Sequence, residues 1–130
     1  MRYLLDTHIA LWATYQSRKL PARARAALSD EGAEGYVSAA SLWEIALKNT
    51  MQPGELPPVR QAIADFGRAG LRELAVTSRS VVVLEQLPLL HKDPFDRMLI
   101  SQASSEGLVL LTADEKIGAY DPEQRYIQLV

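Results

Sequence analysis

Short apolar runs alternate with longer segments of helical character along this chain, and this alternation limits the fold more than any other feature. The runs at 2–5, 36–38 and 108–111 have the length and composition of buried strands. The segments between them carry proline, glycine or capping residues at their ends, which indicates helices. Because a helix carries the chain back across a sheet, strands in this order pair in parallel. The sequence therefore predicts an α/β fold with a mainly parallel sheet.

One domain accounts for all the predicted elements. The 130 residues match the usual length of a domain and are enough to bury a sizeable core. Hydrophobic residues make up 48% of the chain and charged residues 23%, which is typical of a globular protein. We expect residues 1–130 to form a single domain with strands at about 2–5, 36–38, 71–76, 108–111 and 126–130, and helices at about 8–14, 22–29, 39–49, 59–69, 79–86 and 94–106.

The composition excludes several classes of protein. The chain has no cysteine, which removes disulfides, thiolate metal sites and cysteine nucleophiles. It has no targeting signal and no apolar stretch of about 18 residues, so we expect a cytoplasmic protein with no membrane contact. The net charge of −2 argues against a strongly basic nucleic-acid binder. Without the −4 of four metal-bound carboxylates the remaining charge would be +2, and such a surface accepts a polyanion.

Four carboxylates lie at comparable places in the predicted fold. Asp6 ends the first apolar run, and Glu44 lies one turn into the helix after the second. Asp96 opens a later helix, and Asp114 follows the run at 108–112. In a parallel α/β sheet these places meet at the carboxyl edge, where ligands bind. Four acids at one edge repel one another and need a cation, and hard ions such as Mg²⁺ or Mn²⁺ take oxygen ligands. All four acids are therefore candidate catalytic and metal-binding residues.

Helix capping explains each of these acids taken singly. Acids and hydroxyls are favoured at the starts of helices, where they accept hydrogen bonds from free N–H groups. The elements that match are Asp6 or Thr7, the capping boxes Ser41–Glu44 and Thr112–Glu115, and Asp93 followed by Asp96. Glu44 can also pair with Lys48 one turn later. Capping does not explain acids at nearly every strand exit on one edge, where they repel one another.

Other catalytic chemistries lack the residues they need. The chain has neither a P-loop nor a dinucleotide fingerprint. His8 and His91 are the only histidines, and they lack zinc-ligand spacing and a partner nucleophile. A partly exposed helix residue is the favoured interpretation of His8. Metal-assisted phosphodiester hydrolysis needs only carboxylates and a divalent ion, because a metal-bound water is the nucleophile.

Four motifs follow one another in an order that is specific in combination. They are Tyr3–His8 with Leu11 and Trp12, then Ser38–Ile45 with Lys48, then His91 with Asp93–Arg97, Leu99, Ile100, Gln102 and Ala103, and finally Leu110–Asp114. In these motifs, and over essentially its whole length, the chain resembles the PIN-domain ribonucleases. Within that family it is most similar to the VapC-type toxins of bacterial toxin–antitoxin pairs.

The resemblance implies a three-layer α/β/α sandwich, a parallel sheet of about five strands and a Mg²⁺- or Mn²⁺-dependent endoribonuclease. Position by position, the four acids match the family's acidic quartet, with Asp6 and Asp96 expected to bind metal directly. Thr112 would hold these ligands in place, and Thr7 and Ser38 are weaker candidates for the same role. The implied partners are an RNA substrate, a second copy of the chain in a homodimer, and a small antitoxin that covers the active-site groove.

Basic and aromatic residues give less specific signals. The one local basic cluster is Arg18, Lys19, Arg23 and Arg25. It is either a solvated helix face or a strip that follows RNA phosphates beside the active edge. For Trp12 and Trp43 we expect core packing rather than nucleobase stacking. We expect Arg97 to pair with acids. Where the family often has a Gly-Lys-Leu turn, this chain has Gly54-Glu55-Leu56, so a basic residue is replaced by an acid.

Two alternatives to an endoribonuclease toxin remain open at this point. The first is a hydrolase or phosphotransfer domain of the receiver-like or dehalogenase-like class. That class normally places a second acid two residues after the nucleophilic Asp, whereas Asp6 is followed by Thr7 and His8. The second is a PIN-like scaffold that binds RNA or protein without cleaving it. The presence of all four acids argues against a decayed site.

Overall fold

Five parallel strands form the centre of the molecule in a computed structural model that describes all 130 residues. The elements in chain order are β1 (Arg2–Leu5), α1 (Thr7–Thr14), α2 (Ala22–Ser29), β2 (Glu34–Ser38), α3 (Ala39–Met51), α4 (Val59–Arg68), β3 (Arg72–Leu74), α5 (Ser78–Gln86), α6 (Pro94–Glu106), β4 (Val109–Thr112), α7 (Glu115–Gly118) and β5 (Ile127–Leu129). The strand order is β3-β2-β1-β4-β5, and every pairing is parallel. The predicted three-layer α/β/α sandwich is confirmed.

The central strand sends alternate side chains to two separate cores. Tyr3 and Leu5 join a cluster with residues of α1, α2, α3 and α4, while Leu4 joins a second cluster with residues of α6 and α7. In β4, Leu111 joins the first cluster and Leu110 the second. Successive side chains of a strand point to opposite faces, so a strand covered on both sides must be apolar throughout. Burying each leucine contributes about 1.5–3 kcal/mol, which makes β1 a strong anchor for the residue that follows it.

The ends of several elements differ from the sequence prediction. β2 begins at Glu34 rather than at 36, because Glu34 pairs with Arg2 of β1 and continues the ladder. β3 is only three residues long, as an edge strand that pairs with β2 alone. The one-turn helix α7 was not predicted, because four residues carry no detectable periodicity. No helix in the structure has the length and hydrophobicity needed to cross a membrane, the longest having 13 residues.

Helix capping follows the sequence prediction at Asp6 and Asp93 and departs from it at both predicted capping boxes. Asp93 caps α6 by accepting hydrogen bonds from the two N–H groups of Phe95 and Asp96, and the helix ends at Gly107, as predicted. The predicted capping box starting at Ser41 is wrong. Ser38 occupies the cap position of α3 and accepts from Ala40 N, and Ser41 lies buried inside the helix. At the second predicted box Asp114, rather than Thr112, caps the following helix α7 by accepting from Lys116 N.

Candidate active site

The ends of β1 and β4 hold a deeply buried carboxylate, Asp6. Leu5 pairs with Leu111, so Asp6 and Thr112 leave the sheet side by side. Thr112 Oγ1 donates to Asp6 Oδ2 over 2.5 Å and accepts from the backbone N–H of Asp114 over 3.0 Å. Asp6 Oδ1 accepts from Ile9 N over 2.8 Å, which caps α1. Burial raises the pKa of the Asp6 carboxyl, and the hydrogen bonds from Ile9 and Thr112 only partly oppose the rise.

Glu44 reaches the same edge from the third helix. It is buried, with 8% of its surface exposed, because α3 packs this turn against α1. Thr7 Oγ1 donates to Glu44 Oε1 over 2.7 Å and lies 2.8 Å from Ser41 Oγ. On the solvent side Lys48 Nζ lies 3.2 Å from Glu44 Oε2, which is the predicted pair one turn apart. Thr7 therefore fixes the inner oxygen of the carboxylate, and Lys48 balances the outer one.

Asp96 lies in the first turn of α6 beside a histidine that sequence reasoning left without a role. His91 Nε2 lies 2.8 Å from Asp96 Oδ2. One ligand atom each of His91, Asp96 and Asp114 falls within 4.8 Å of the others. Burial raises the pKa of Asp96 to about 6. The negative charges of Asp93 and Glu44 add to the rise, and His91 opposes it.

The carboxylates act on one another across the edge, as four acids in one place must. The charge of Asp114 contributes to the raised pKa of Asp6, and the charge of Glu44 contributes to that of Asp96. Asp6 and Glu44 are buried, Asp96 and Asp114 are half-buried, and Lys48 pairs with Glu44 alone, so these mutually repelling carboxylates form a donor set suited to a hard divalent cation. The structure thus brings the four predicted acids to one edge, with Asp96, Asp114 and His91 as the tightest group.

His91 is held in place by the connector between α5 and α6. Arg97 donates to the backbone carbonyls of Leu84, Leu87 and Pro88 and to the hydroxyl of Tyr120. The same hydroxyl accepts from the N–H of His91 over 3.0 Å. The prediction that Arg97 pairs with acids is wrong, because its donors are used by backbone carbonyls. The signal for His91 was its place five residues before Asp96, just ahead of the capped start of α6.

Ser38 lies behind the site rather than in it. Its hydroxyl donates to Gln102 Oε1 over 2.5 Å, and Gln102 Nε2 donates to Ala75 O over 3.2 Å. Ser38 also caps α3, the helix of Glu44, while Gln102 belongs to α6, the helix of Asp96. Both side chains are completely buried. The pair fixes the two acid-bearing helices relative to each other without touching a carboxylate.

The basic cluster lies away from the acids. Arg18, Lys19, Arg23 and Arg25 are all exposed. Arg25 lines a cavity of about 560 Å³ together with Gly35 and Leu71, which lie at the amino-terminal ends of β2 and β3. That cavity is therefore at the opposite edge of the sheet from Asp6. The placement of Arg25 favours the interpretation of a solvated helix face.

A cleft of about 440 Å³ opens beside the acids. His8, Leu11, Glu44, Lys48 and Phe95 are among the side chains that line it. Glu55 also lines the cleft, so the acid that replaces the family's usual lysine faces this space. Trp12 packs against the core as predicted and stacks on the His8 ring at 5.7 Å between centroids. For Trp43 the prediction of core packing is wrong, because 63% of its surface is exposed.

Comparisons with known proteins agree with this architecture. The family model described as the PIN domain matches residues 3–121, which is most of the chain. The chain belongs to the PIN domain family. This assignment sets aside the receiver-like and dehalogenase-like alternatives. A search of curated protein sequences found no match to this PIN domain.

Several solved structures share the fold at low sequence identity. The chain is similar to one in VapBC2 from Rickettsia felis, bound to a DNA fragment from its promoter, at 17% identity and a TM-score of 0.68, over 100% of this chain and 98% of that one. For VapBC-1 from nontypeable Haemophilus influenzae the identity is 16% and the TM-score 0.68, over 99% and 98%. For VapC20 of Mycobacterium tuberculosis, a toxin that cleaves the sarcin-ricin loop, the identity is 19% and the TM-score 0.57, over 92% of this chain and 95% of that one.

Proposed function

We propose that this PIN domain is a metal-dependent endoribonuclease and the toxin of a toxin–antitoxin pair. The observation that carries the proposal is the gathering of Asp6, Glu44, Asp96 and Asp114 at one sheet edge, beside an open cleft. No protein nucleophile lies among them, which leaves water as the attacking group. The similar VapC20 chain is a toxin that cleaves the sarcin-ricin loop, and two further similar chains come from VapBC complexes.

The four acids would hold the metal, which we take to be Mg²⁺ or Mn²⁺. Hard cations take oxygen ligands, so we assign His91 to orienting Asp96 through its 2.8 Å contact rather than to the ion. Thr112 and Thr7 hold one oxygen each of Asp6 and Glu44. A bound ion would supply the positive charge that stabilises the phosphodiester and makes a water ligand nucleophilic. The hydroxyls fix the carboxylates in advance, so fewer side-chain rotamers are lost when the site forms.

An RNA cleavage assay tests the proposal. The purified protein is incubated with structured and single-stranded RNA in Mg²⁺ or Mn²⁺, with EDTA as the metal-free control. Asp96→Asn removes one charge from the site, and Asp30→Asn makes the same change in the exposed turn after α2. We expect cleavage by the wild type and by Asp30→Asn, and none by Asp96→Asn or in EDTA. Cleavage that survives in both EDTA and Asp96→Asn would contradict the assignment of the site. Binding of RNA without cleavage by any metal-loaded form would favour the scaffold alternative.

The same proposal includes protein partners and a cytoplasmic location. A small antitoxin would cover the cleft and its exposed apolar rim, where a partner helix can dock. Outside the cleft, apolar side chains are exposed on α5 and in the following connector, at Val81, Val82, Leu89 and Leu90, which supports a homodimer. Light scattering after gel filtration measures the mass directly, and Val82→Glu should shift a dimer to monomer. Toxin that shows no binding to its cognate antitoxin would contradict the pairing.

A further inference from the structure

Trp43 is the most exposed of the large aromatic side chains of the chain. It exposes 63% of its surface in the second turn of α3, next to the buried residues Glu44 and Ile45. Its indole N–H makes no hydrogen bond within the chain. Fully exposed tryptophan is uncommon in a folded domain, because the ring loses the favourable free energy of burial. An external group that covers the ring would recover this free energy.

Phe95 holds the indole in a defined orientation. The two rings lie edge to face, 4.9 Å apart between centroids and at 73° to each other. Phe95 is half-buried at the start of α6, where its N–H is fixed by Asp93. Edge-to-face pairs of this kind are favourable beyond the area that they bury. Trp43 is therefore a pre-oriented surface rather than a mobile side chain.

The position of this aromatic pair in the chain ties it to the carboxylates. Trp43 directly precedes Glu44, and Phe95 directly precedes Asp96. Each ring is thus one residue from an acid that would hold the metal, on the same two helices. Phe95 also lines the cleft, and so does Lys48, which is 44% exposed and is the nearest cation for a backbone phosphate. A phosphodiester at the acids would bring the adjacent nucleotide within reach of Trp43.

We propose that Trp43, braced by Phe95, is a stacking platform for an unpaired nucleobase next to the phosphodiester at the carboxylates. This proposal rests on the proposed nuclease function. A base stacked on an aromatic side chain is a common way to hold single-stranded RNA, because every base has a π face. The platform would position the substrate and select unpaired over paired RNA, while leaving the sequence largely unspecified.

A protein helix is the competing occupant, and the structure supplies a control for it. Leu47 and Met51 continue the same helix face as Trp43 at intervals of four residues, with 39% and 73% of their surfaces exposed. A docked helix would use the whole stripe. A nucleobase stacked on Trp43 needs only that ring of the stripe. Leu47 and Met51 also line the cleft, so the control substitution is made outside it, at Ile63.

The test measures kcat/KM on a short single-stranded RNA with one cleavage site, at saturating Mg²⁺. We expect Trp43→Leu to lower kcat/KM by about 5- to 150-fold, which corresponds to ~1–3 kcal/mol of base stacking. Trp43→Phe keeps a ring and should lose less than about fivefold. Ile63→Ala, at an exposed apolar side chain of α4 that does not line the cleft, should match the wild type. Thermal unfolding checks that the variants are folded, which is expected for changes at exposed side chains.

A second measurement separates this proposal from the nuclease assignment. Asp96→Asn, which we expect to be inactive, is titrated with fluorescent single-stranded RNA with and without Trp43→Leu. Weaker RNA binding by the double variant supports the platform, even if the wild type cleaves nothing and the nuclease assignment fails. Equal RNA binding, or unchanged cleavage by Trp43→Leu, overturns the platform. If Trp43→Leu and Met51→Ala weaken only the binding of a partner protein, the face is a protein interface and the proposal is wrong.

Discussion

Replacing Thr112 by valine should destabilise the metal-free protein through Asp6 alone. The substitution exchanges a hydroxyl for a methyl group of similar size and keeps the branched side chain that suits a strand. The lost interaction is the 2.5 Å hydrogen bond to Asp6 Oδ2, inside a site where Asp6 is 6% exposed. The backbone N–H of Asp114 also loses an acceptor, but its residue is half-buried and water can replace the bond.

The expected loss follows from the charge and burial of the acceptor. A hydrogen bond to a charged group contributes about 1.5–3 kcal/mol, so we expect ~2 kcal/mol at pH 8. With an unfolding entropy of about 2.1 cal/mol/K per residue, this lowers the Tm by roughly 7 °C. The hydrogen bond favours ionised Asp6. Its contribution is therefore present when Asp6 is charged and declines as the pH falls and Asp6 takes up a proton.

Urea unfolding in EDTA at pH 8 measures the difference, with Thr112→Ser as the control that keeps the hydroxyl. Serine should unfold within about 1 kcal/mol of the wild type, because only a methyl group is lost. If valine were as stable as the wild type at pH 8, or if serine and valine were equally destabilised, the hydrogen bond to Asp6 would not be the cause. The same variant should weaken metal binding by about 10- to 100-fold in calorimetry, the usual effect of removing a group that orients a ligand.

Three further predictions concern residues other than the four acids of the site. Tyr15 donates to Asp65 over 2.6 Å, which lowers the pKa of Asp65, while burial and this contact raise the pKa of Tyr15 to about 12. The urea midpoint of Tyr15→Phe should therefore lie below that of the wild type between about pH 5 and 9. The difference should disappear in acid, as Asp65 takes up a proton, and above about pH 10, as Tyr15 ionises. A gap that does not vary with pH would disprove the linkage. Gly67→Ala in α4, where an added Cβ meets nothing within 4 Å, should raise the unfolding free energy by about 0.5–1 kcal/mol. Gly107→Ala should lower it by about 1–2 kcal/mol, because Gly107 has a φ of +67°. Equal shifts of the two variants in thermal unfolding would contradict this backbone argument. Arg97→Ala should speed hydrogen exchange in the connector at 87–93, which its guanidinium anchors, and unchanged protection there would show that the anchor is unnecessary.

The strand order and the acidic edge follow from features that the sequence carries locally. Apolar runs with acids at their ends are short-range signals, and parallel pairing brings the ends together without further information. Asp6 illustrates this, since its position after 2–5 is enough to place it at the edge. The start of α6 at Pro94 was predicted correctly for the same reason, because the proline and the capping residue Asp93 before it are neighbours in the sequence.

The features that were mispredicted depend on contacts between distant residues. Ser41 has the spacing of a capping box, yet Thr7, 34 residues earlier, takes it into a buried contact. Trp43 has the character of a core residue, but it lies on the side of α3 that faces solvent. Arg97 was expected to pair with acids, but backbone carbonyls of Leu84 and Pro88 accept its hydrogen bonds instead. Spacing alone carries none of this information.

The central place of β1 also determines when the protein can become active during its synthesis. One neighbour of this strand, β4, ends at Thr112, so Asp6 has no hydroxyl partner until more than a hundred further residues have been synthesised. At about 5–20 residues per second, translation needs roughly 6–20 s to reach that point. Until then the first acid has neither its sheet edge nor Asp96 and Asp114 nearby. A nuclease with this topology is therefore assembled only after Thr112 has been translated and β4 has joined the sheet.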